Sequence, residues 1–264
     1  MKDHPTLASI EPRSDRVAPT QVEIPQYRRR SILAIWAAAA LPMGALAWVI
    51  APWFSSGRGE TSLIRPLLLL LTAGLAWQFI LVIGLVWLEQ RDLRWSTLRS
   101  ALWLNSPRSP RTGQTGGKVW LAVPVLIAAF GAEQLIPNLP HPAARDLGEV
   151  LGSDAGHAFF HGAWGWFAVV VMLGIFNTVL GEELLFRGFL LPRMNGAFGR
   201  ADWVANGLLF AAYHLHVPWV IPATLVDMLV VAYPTKRYRS AWIGITVHSA
   251  QTVFITVAVL ALVL

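Results

Sequence analysis

Glu182 and Glu183 stand side by side in Gly181-Glu-Glu-Leu-Leu-Phe-Arg-Gly188, inside one of the most apolar stretches of the chain. A carboxylate at membrane depth is costly unless it is neutralised, paired or wetted, so an ionisable residue there marks a functional site by default. Arg187 follows Glu183 at i+4, the spacing at which a helix pairs opposite charges, and burial makes that pairing close to obligatory. Glu182 points about 100° away around a regular helix. A packing role through ion pairs therefore accounts for Glu183 and Arg187 but leaves Glu182 without a cation.

Two histidines offer Glu182 company: His214, in Phe210-Ala-Ala-Tyr-His, and His248, in Thr246-Val-His-Ser-Ala-Gln-Thr252. Counted at 1.5 Å per helical residue from the nearest basic residue, Glu182 lies about 16 Å from Arg193, His214 about 21 Å from Arg200 and His248 about 14 Å from Arg239. Three ionisable side chains on three apolar segments thus share one slab. A carboxylate with two histidines supports two chemistries. Glu182 can act as a general base on water, with one histidine holding the water and the other donating to the oxyanion of a tetrahedral intermediate. Alternatively Glu182, His214 and His248 ligate a divalent metal such as zinc, which acidifies a bound water. No His-Glu-x-x-His motif supports the metal scheme, and no cofactor is expected under the first.

These residues need a membrane bundle to position them. Of 264 residues 55% are hydrophobic and only 14% charged, against about 25% charged in soluble domains; mean hydropathy is +0.51. The expected fold is all-α, a polytopic transmembrane helical bundle. Spans are expected near 32–54, 63–88, 119–137, 163–187, 202–217, 219–233 and 241–263, about seven in all. Within Glu89–Gly117, Leu93, Trp95, Leu98, Leu102 and Trp103 recur at near-helical spacing, which predicts an interfacial amphipathic helix. Asn105–Gly117 then reads as a flexible loop. The expected organisation is a disordered cytoplasmic tail (1–30), N-terminal transmembrane helices with the interfacial helix (31–162) and a catalytic core (163–264). Cysteine is absent, which excludes disulfides and thiolate metal sites.

The net charge of +6 falls between the apolar runs, which points to membrane topology rather than nucleic acid. Arg28–Arg30, the 89–118 loop, Arg193 with Arg200, and Lys236-Arg237-Arg239 lie on alternate sides of successive spans. The positive-inside rule puts them in the cytoplasm, with the N-terminus inside and the C-terminus outside. The triple arginine before an apolar run is reminiscent of an export signal, but the run continues to Phe54, beyond the 7–15 residues of a signal core. An uncleaved anchor is expected. The Arg-heavy, Lys-poor composition suggests a multi-pass protein of a bacterial inner membrane, with lipids and a membrane-associated peptide or protein as partners.

Glu182-Glu183-x-x-x-Arg187, Phe210-x-x-x-His214 and His248 on the last helix resemble the three signature motifs of the CAAX-protease and bacteriocin-processing family. These are intramembrane proteases related to the eukaryotic Ras-converting CAAX endopeptidase and also called Abi proteins. Leu-Leu-Phe-Arg-Gly after the glutamates resembles the family's most characteristic run, and the similarity covers roughly 165–262. The resemblance implies a helical core with a cavity between helices and hydrolysis of a peptide bond near the membrane, without metal. In it Glu182 activates water assisted by His214, Glu183 and Arg187 orient the site, and His248 stabilises the oxyanion. The family's third motif usually continues His-x-x-x-Asn; position 252 is Thr, which keeps a hydroxyl donor but a shorter one that can bond back to its own helix. That departure supports a second expectation, a weakly or non-catalytic membrane protein for bacteriocin self-immunity or partner binding. A proton-coupled transporter, a third class, predicts inverted repeats and broken helices; neither is evident.

Overall fold

A computed structural model describes residues 22–55 and 61–264. The described chain is built of helices, five of them long and apolar enough to cross a membrane: Arg29–Phe54, Ile64–Gln90, Gly117–Leu135, Trp164–Arg193 and Ala241–Val263. A sixth crossing is available from Pro218–Thr224 and Met228–Tyr238, which are bent by 50° at their break. The all-α polytopic bundle is therefore as expected, but with five or six spans rather than seven. The difference lies at 202–217. Asp202–Tyr213 has 12 residues, about 18 Å of helix, well short of the roughly 30 Å hydrocarbon core. It packs against the bent pair as one half of a helical wedge. The broken helix that was not evident in the sequence is this pair.

Local chemistry explains how the spans fit together. Pro42 sits inside the first span and lacks the N–H that would reach the Ala38 carbonyl. The Trp77 indole of the second span donates to that oxygen at 2.9 Å, so the proline defect becomes a helix–helix contact. Gly74 of the second span lies against the side chains of Met43 and Leu46, where a methyl group would force the two helices apart. The main core gathers Ile32, Met43, Leu75, Val82, Phe186, Phe189, Phe210 and Tyr213, so the fourth span and the short helix 202–213 lie at the centre of the bundle. The second span runs along residues 176–181 of the fourth.

The segment expected to form an interfacial helix is helical only over Trp95–Ala101. Leu102 is buried in the core while Leu93 and Trp95 stay exposed, an amphipathic division of one short element. Asn105–Gly117 is a loop as expected, closed by a bridge between Arg108 and Thr115 and tied to the far end of the bent pair by Arg108 N–H to Tyr238 O at 2.8 Å.

Residues 1–21 of the expected tail lie outside the described residues. Residues 22–28 are extended but fastened, which corrects the expectation of a disordered tail up to residue 30. The Tyr27 N–H donates to Arg193 O at 2.9 Å, the Tyr27 hydroxyl donates to Glu89, and Gln26 bonds Pro192 O and Gly196 N–H. Arg193, which the sequence presents as a loop charge, is fully buried. Its guanidinium makes a two-pronged contact with Glu89, 2.9 Å from Nε to Oε1 and 2.5 Å from Nη2 to Oε2. It also donates to the carbonyls of Ala101 and Phe189. Each of the three guanidinium nitrogens has an acceptor there, and such hydrogen bonding is what makes a buried ion pair tolerable.

Candidate active site

The fourth span is not a regular helix where the glutamates sit. Ordinary α-helix ends at Ile175, residues 176–181 form a π-helical turn, and a second runs over Leu184–Leu190. A π turn places residue i under i+5 rather than i+4, and such turns concentrate at functional sites. Here the register brings Asn177 beneath Glu182. With its amide nitrogen in the orientation that its surroundings require, Asn177 donates to Glu182 Oε1 at 2.8 Å and Oε2 at 3.2 Å. Gly181 is needed at this point. A Cβ there would run into the Phe176 carbonyl of its own turn and the Leu75 carbonyl of the second span.

The two glutamates are both buried, Glu182 at 1% and Glu183 at 0% exposure, and their partners divide them. Glu183 Oε1 lies 3.2 Å from Arg187 Nη1 and accepts from His248 Nδ1 at 3.0 Å. Glu182 makes no ion pair among the described residues. Besides Asn177 it is faced by the Tyr213 hydroxyl, which itself accepts from Gln78 Nε2 of the second span at 2.6 Å. The sequence reading set both histidines opposite Glu182; the structure gives His248 to Glu183 instead.

Phe210 is the hub around which the separate motifs meet. The Arg187 guanidinium stacks 3.8 Å from its ring centroid, and the His214 and His248 rings stand perpendicular to it at 4.9 and 5.9 Å. The five residues Glu182, Glu183, Arg187, His214 and His248 are thus collected in one place by three elements distant in sequence. His214 Nδ1 donates to Phe210 O at 3.0 Å, which fixes the tautomer and leaves Nε2 as an acceptor. With Nδ1 of His248 held by Glu183, the Nε2 of that ring is likewise directed by its partner.

Gly244 lets the last span close on this cluster. A methyl group at residue 244 would meet Glu183 Oε2 and Thr235 Oγ1, both buried and without hydrogen-bond partners. Gly244→Ala is expected to destabilise the protein by about 1–3 kcal/mol, the usual effect of overpacking. Thermal unfolding of the detergent-solubilised variant checks it, and an unchanged midpoint would show that the last span has slack.

Thr252, the sixth residue singled out, is placed differently. Its hydroxyl donates to Thr178 Oγ1 of the fourth span at 3.2 Å, and its methyl group packs against Gly174. The hydroxyl is engaged in a helix–helix contact one turn beyond His248, with Ser249 donating to the same Thr178 oxygen at 3.2 Å. Thr252→Val is therefore expected to lower turnover by less than about tenfold, whereas loss of an oxyanion donor lowers rates about 10²–10³-fold. Initial rates on one substrate distinguish the two.

Several residues were not singled out from the sequence. Asn177, Tyr213 and Gln78 hold Glu182; Glu133 and Asp227 are buried and within electrostatic reach of His248. A polar residue in each apolar run was the available signal, most clearly Asn177 five positions before Glu182. Among the described residues no three His, Asp or Glu side chains are gathered so as to hold a metal ion.

No curated protein and no solved structure matches the chain. Residues 163–254 match the model of a protein family described as type II CAAX prenyl endopeptidase Rce1-like. The match spans all the residues gathered around Phe210, from the fourth span to the middle of the last. Over residues 163–254, about a third of its length, this membrane protein is similar to the Rce1-like family.

Proposed function

We propose that the protein is an intramembrane endopeptidase that hydrolyses a peptide bond of a membrane-associated protein or peptide with a water activated by Glu182. The observation that carries this reading is the unequal environment of the two glutamates. Glu183 is engaged by Arg187 and His248, whereas Glu182 is held by the neutral Asn177 and Tyr213 and makes no ion pair among the described residues. A positioned carboxylate free of an ion pair is what a general base requires.

The reaction then runs as follows. Glu182 takes one proton of a water whose other O–H donates to His214 Nε2, and a lone pair of the water oxygen attacks the scissile carbonyl carbon. The C=O π electrons move to oxygen, which accepts a hydrogen bond from Nε2–H of a doubly protonated His248 whose Nδ1–H stays on the Glu183 carboxylate. The tetrahedral intermediate collapses, the C–N bond breaks, and the proton held on Glu182 passes to the departing nitrogen. Arg187 and Glu183 keep the His248 ring in register throughout. Because Glu182 is buried, substrate entry has to part the helices around Phe210.

The charge pattern supports a cytoplasmic N-terminus in a bacterial inner membrane. If Asp202–Tyr238 enters and leaves on one side, the remaining five spans keep the ends on opposite faces, as the seven-span reading did. Prenylated substrates fit the family but are not required by any residue described here.

The test is substrate trapping. Membranes carrying wild-type protein are compared with membranes carrying Glu182→Gln, and uncleaved proteins are expected to accumulate in the variant. Identical membrane proteomes would favour the other reading, a weakly or non-catalytic Abi-type protein for bacteriocin self-immunity or partner binding. One observation speaks for that reading, the engagement of Thr252 with Thr178. Full activity of purified protein in strong chelator is expected, and loss of activity restored by zinc would count against a metal-free route.

A further inference from the structure

A cavity of about 690 Å³ opens where the loop 109–118 meets the end of the bent helix pair, lined by Arg111, Lys118 and Arg237 together with Ser109, Thr112 and Tyr238. No carboxylate lines it. Among the described residues none of the three cations forms an ion pair or a side-chain hydrogen bond, although the adjoining bases are engaged: Lys236 with Asp202 and Arg108 with the Gly113 carbonyl at 2.9 Å. Three like charges on one cavity repel unless an anion joins them. The hydroxyls of Ser109, Thr112 and Tyr238 add donors of the kind that phosphate oxygens accept from.

The loop backbone is shaped to hold the arrangement. Gly116 and Gly117 have φ of +70° and +56°, a left-handed pair that only glycine adopts freely. They turn the chain directly from the cavity into the third span, so that Lys118 stands at its first turn. Below it Leu121 and Val125, one helical turn apart, are 72% and 69% exposed. An apolar stripe thus leads away from a cationic pocket along the surface of a membrane span. Basic pockets between transmembrane helices are the usual seats of acidic lipid headgroups.

We infer that this cavity binds a phosphate-bearing anion, with the charge borne by Arg111, Lys118 and Arg237. The ligand chemistry is a phosphate group, from an acidic phospholipid headgroup whose acyl chain follows Leu121 and Val125, or from free phosphate. The site is separate from the cluster around Phe210, and its test does not depend on the protein being a protease.

The experiment uses the full-length protein, delipidated in detergent, titrated with phosphatidylglycerol, phosphatidylcholine and inorganic phosphate, with bound ligand read by native mass spectrometry. Phosphatidylglycerol is expected to bind at least about tenfold more tightly than phosphatidylcholine. The triple variant Arg111→Gln, Lys118→Gln, Arg237→Gln is expected to lose about 10²-fold, since each basic residue near an acidic lipid contributes about fivefold. The control triple Arg28→Gln, Arg29→Gln, Arg30→Gln removes the same charge elsewhere and is expected to retain binding. All six residues are exposed, and thermal unfolding verifies that both triples fold. Saturation by inorganic phosphate, with matching loss in the first triple, assigns the site to free phosphate. Equal binding of the two lipids with no phosphate binding, or equal loss in both triples, overturns the inference.

Discussion

On the proposed endopeptidase reading, Glu182→Gln is expected to leave the protein folded and to lower the hydrolytic rate about 10³-fold, within the 10²–10⁴ that a positioned general base contributes. Glutamine has nearly the volume of glutamate, and its amide oxygen can still accept from Asn177, so the neutral network of Asn177, Tyr213 and Gln78 survives. No ion pair is broken, because Glu182 makes none among the described residues. Unfolding temperature within a degree or two of wild type, with the rate lost, is the expected signature. Single-turnover hydrolysis of a fluorogenic membrane peptide measures it. A variant with wild-type turnover would remove Glu182 from the chemistry.

Glu183→Gln, one residue on, is expected to behave in the opposite way on stability. It strips the carboxylate from between Arg187 and His248 and leaves a guanidinium buried at 0% exposure. Removing one partner of a buried pair destabilises by about 3–5 kcal/mol because the other charge remains uncompensated. Phe210 stacks on that guanidinium but cannot replace a counter-charge, since a cation–π contact is worth only about 2 kcal/mol even when desolvated. Activity is expected to fall too, because the His248 ring loses the carboxylate charge that holds it in its donating form. The double replacement Glu183→Gln, Arg187→Met removes both charges and is expected to recover most of the stability without the activity. Denaturation in mild detergent tests this pair, and a fully stable Glu183→Gln would mean that Arg187 has another acceptor.

The contrast between neighbouring glutamates was half legible in the sequence. Glu183 and Arg187 at i, i+4 is a local relation, and the pairing follows from helix geometry alone. That Glu182 lacks a cation on its own helix follows in the same way. The partner of His248 did not, because a helix can rotate about its axis at constant depth. Depth counting placed His248 level with both glutamates and could not choose between them; Gly244, by admitting the last span against Glu183, makes the choice.

The sequence by itself determined that the chain is a helical membrane protein, which segments are apolar, and that Glu182, His214 and His248 are to be expected at one depth. Those properties depend on composition and on rise per residue, both of which are additive along the chain. Only the tertiary structure decided that Asp202–Tyr213 is a wedge rather than a span, that Arg193 is buried against Glu89, and that Thr252 faces Thr178. It also decided that a π turn brings Asn177 to Glu182. One extra residue in a turn changes every neighbour beyond it yet leaves hydropathy untouched, and the contact that rewards it comes from another helix.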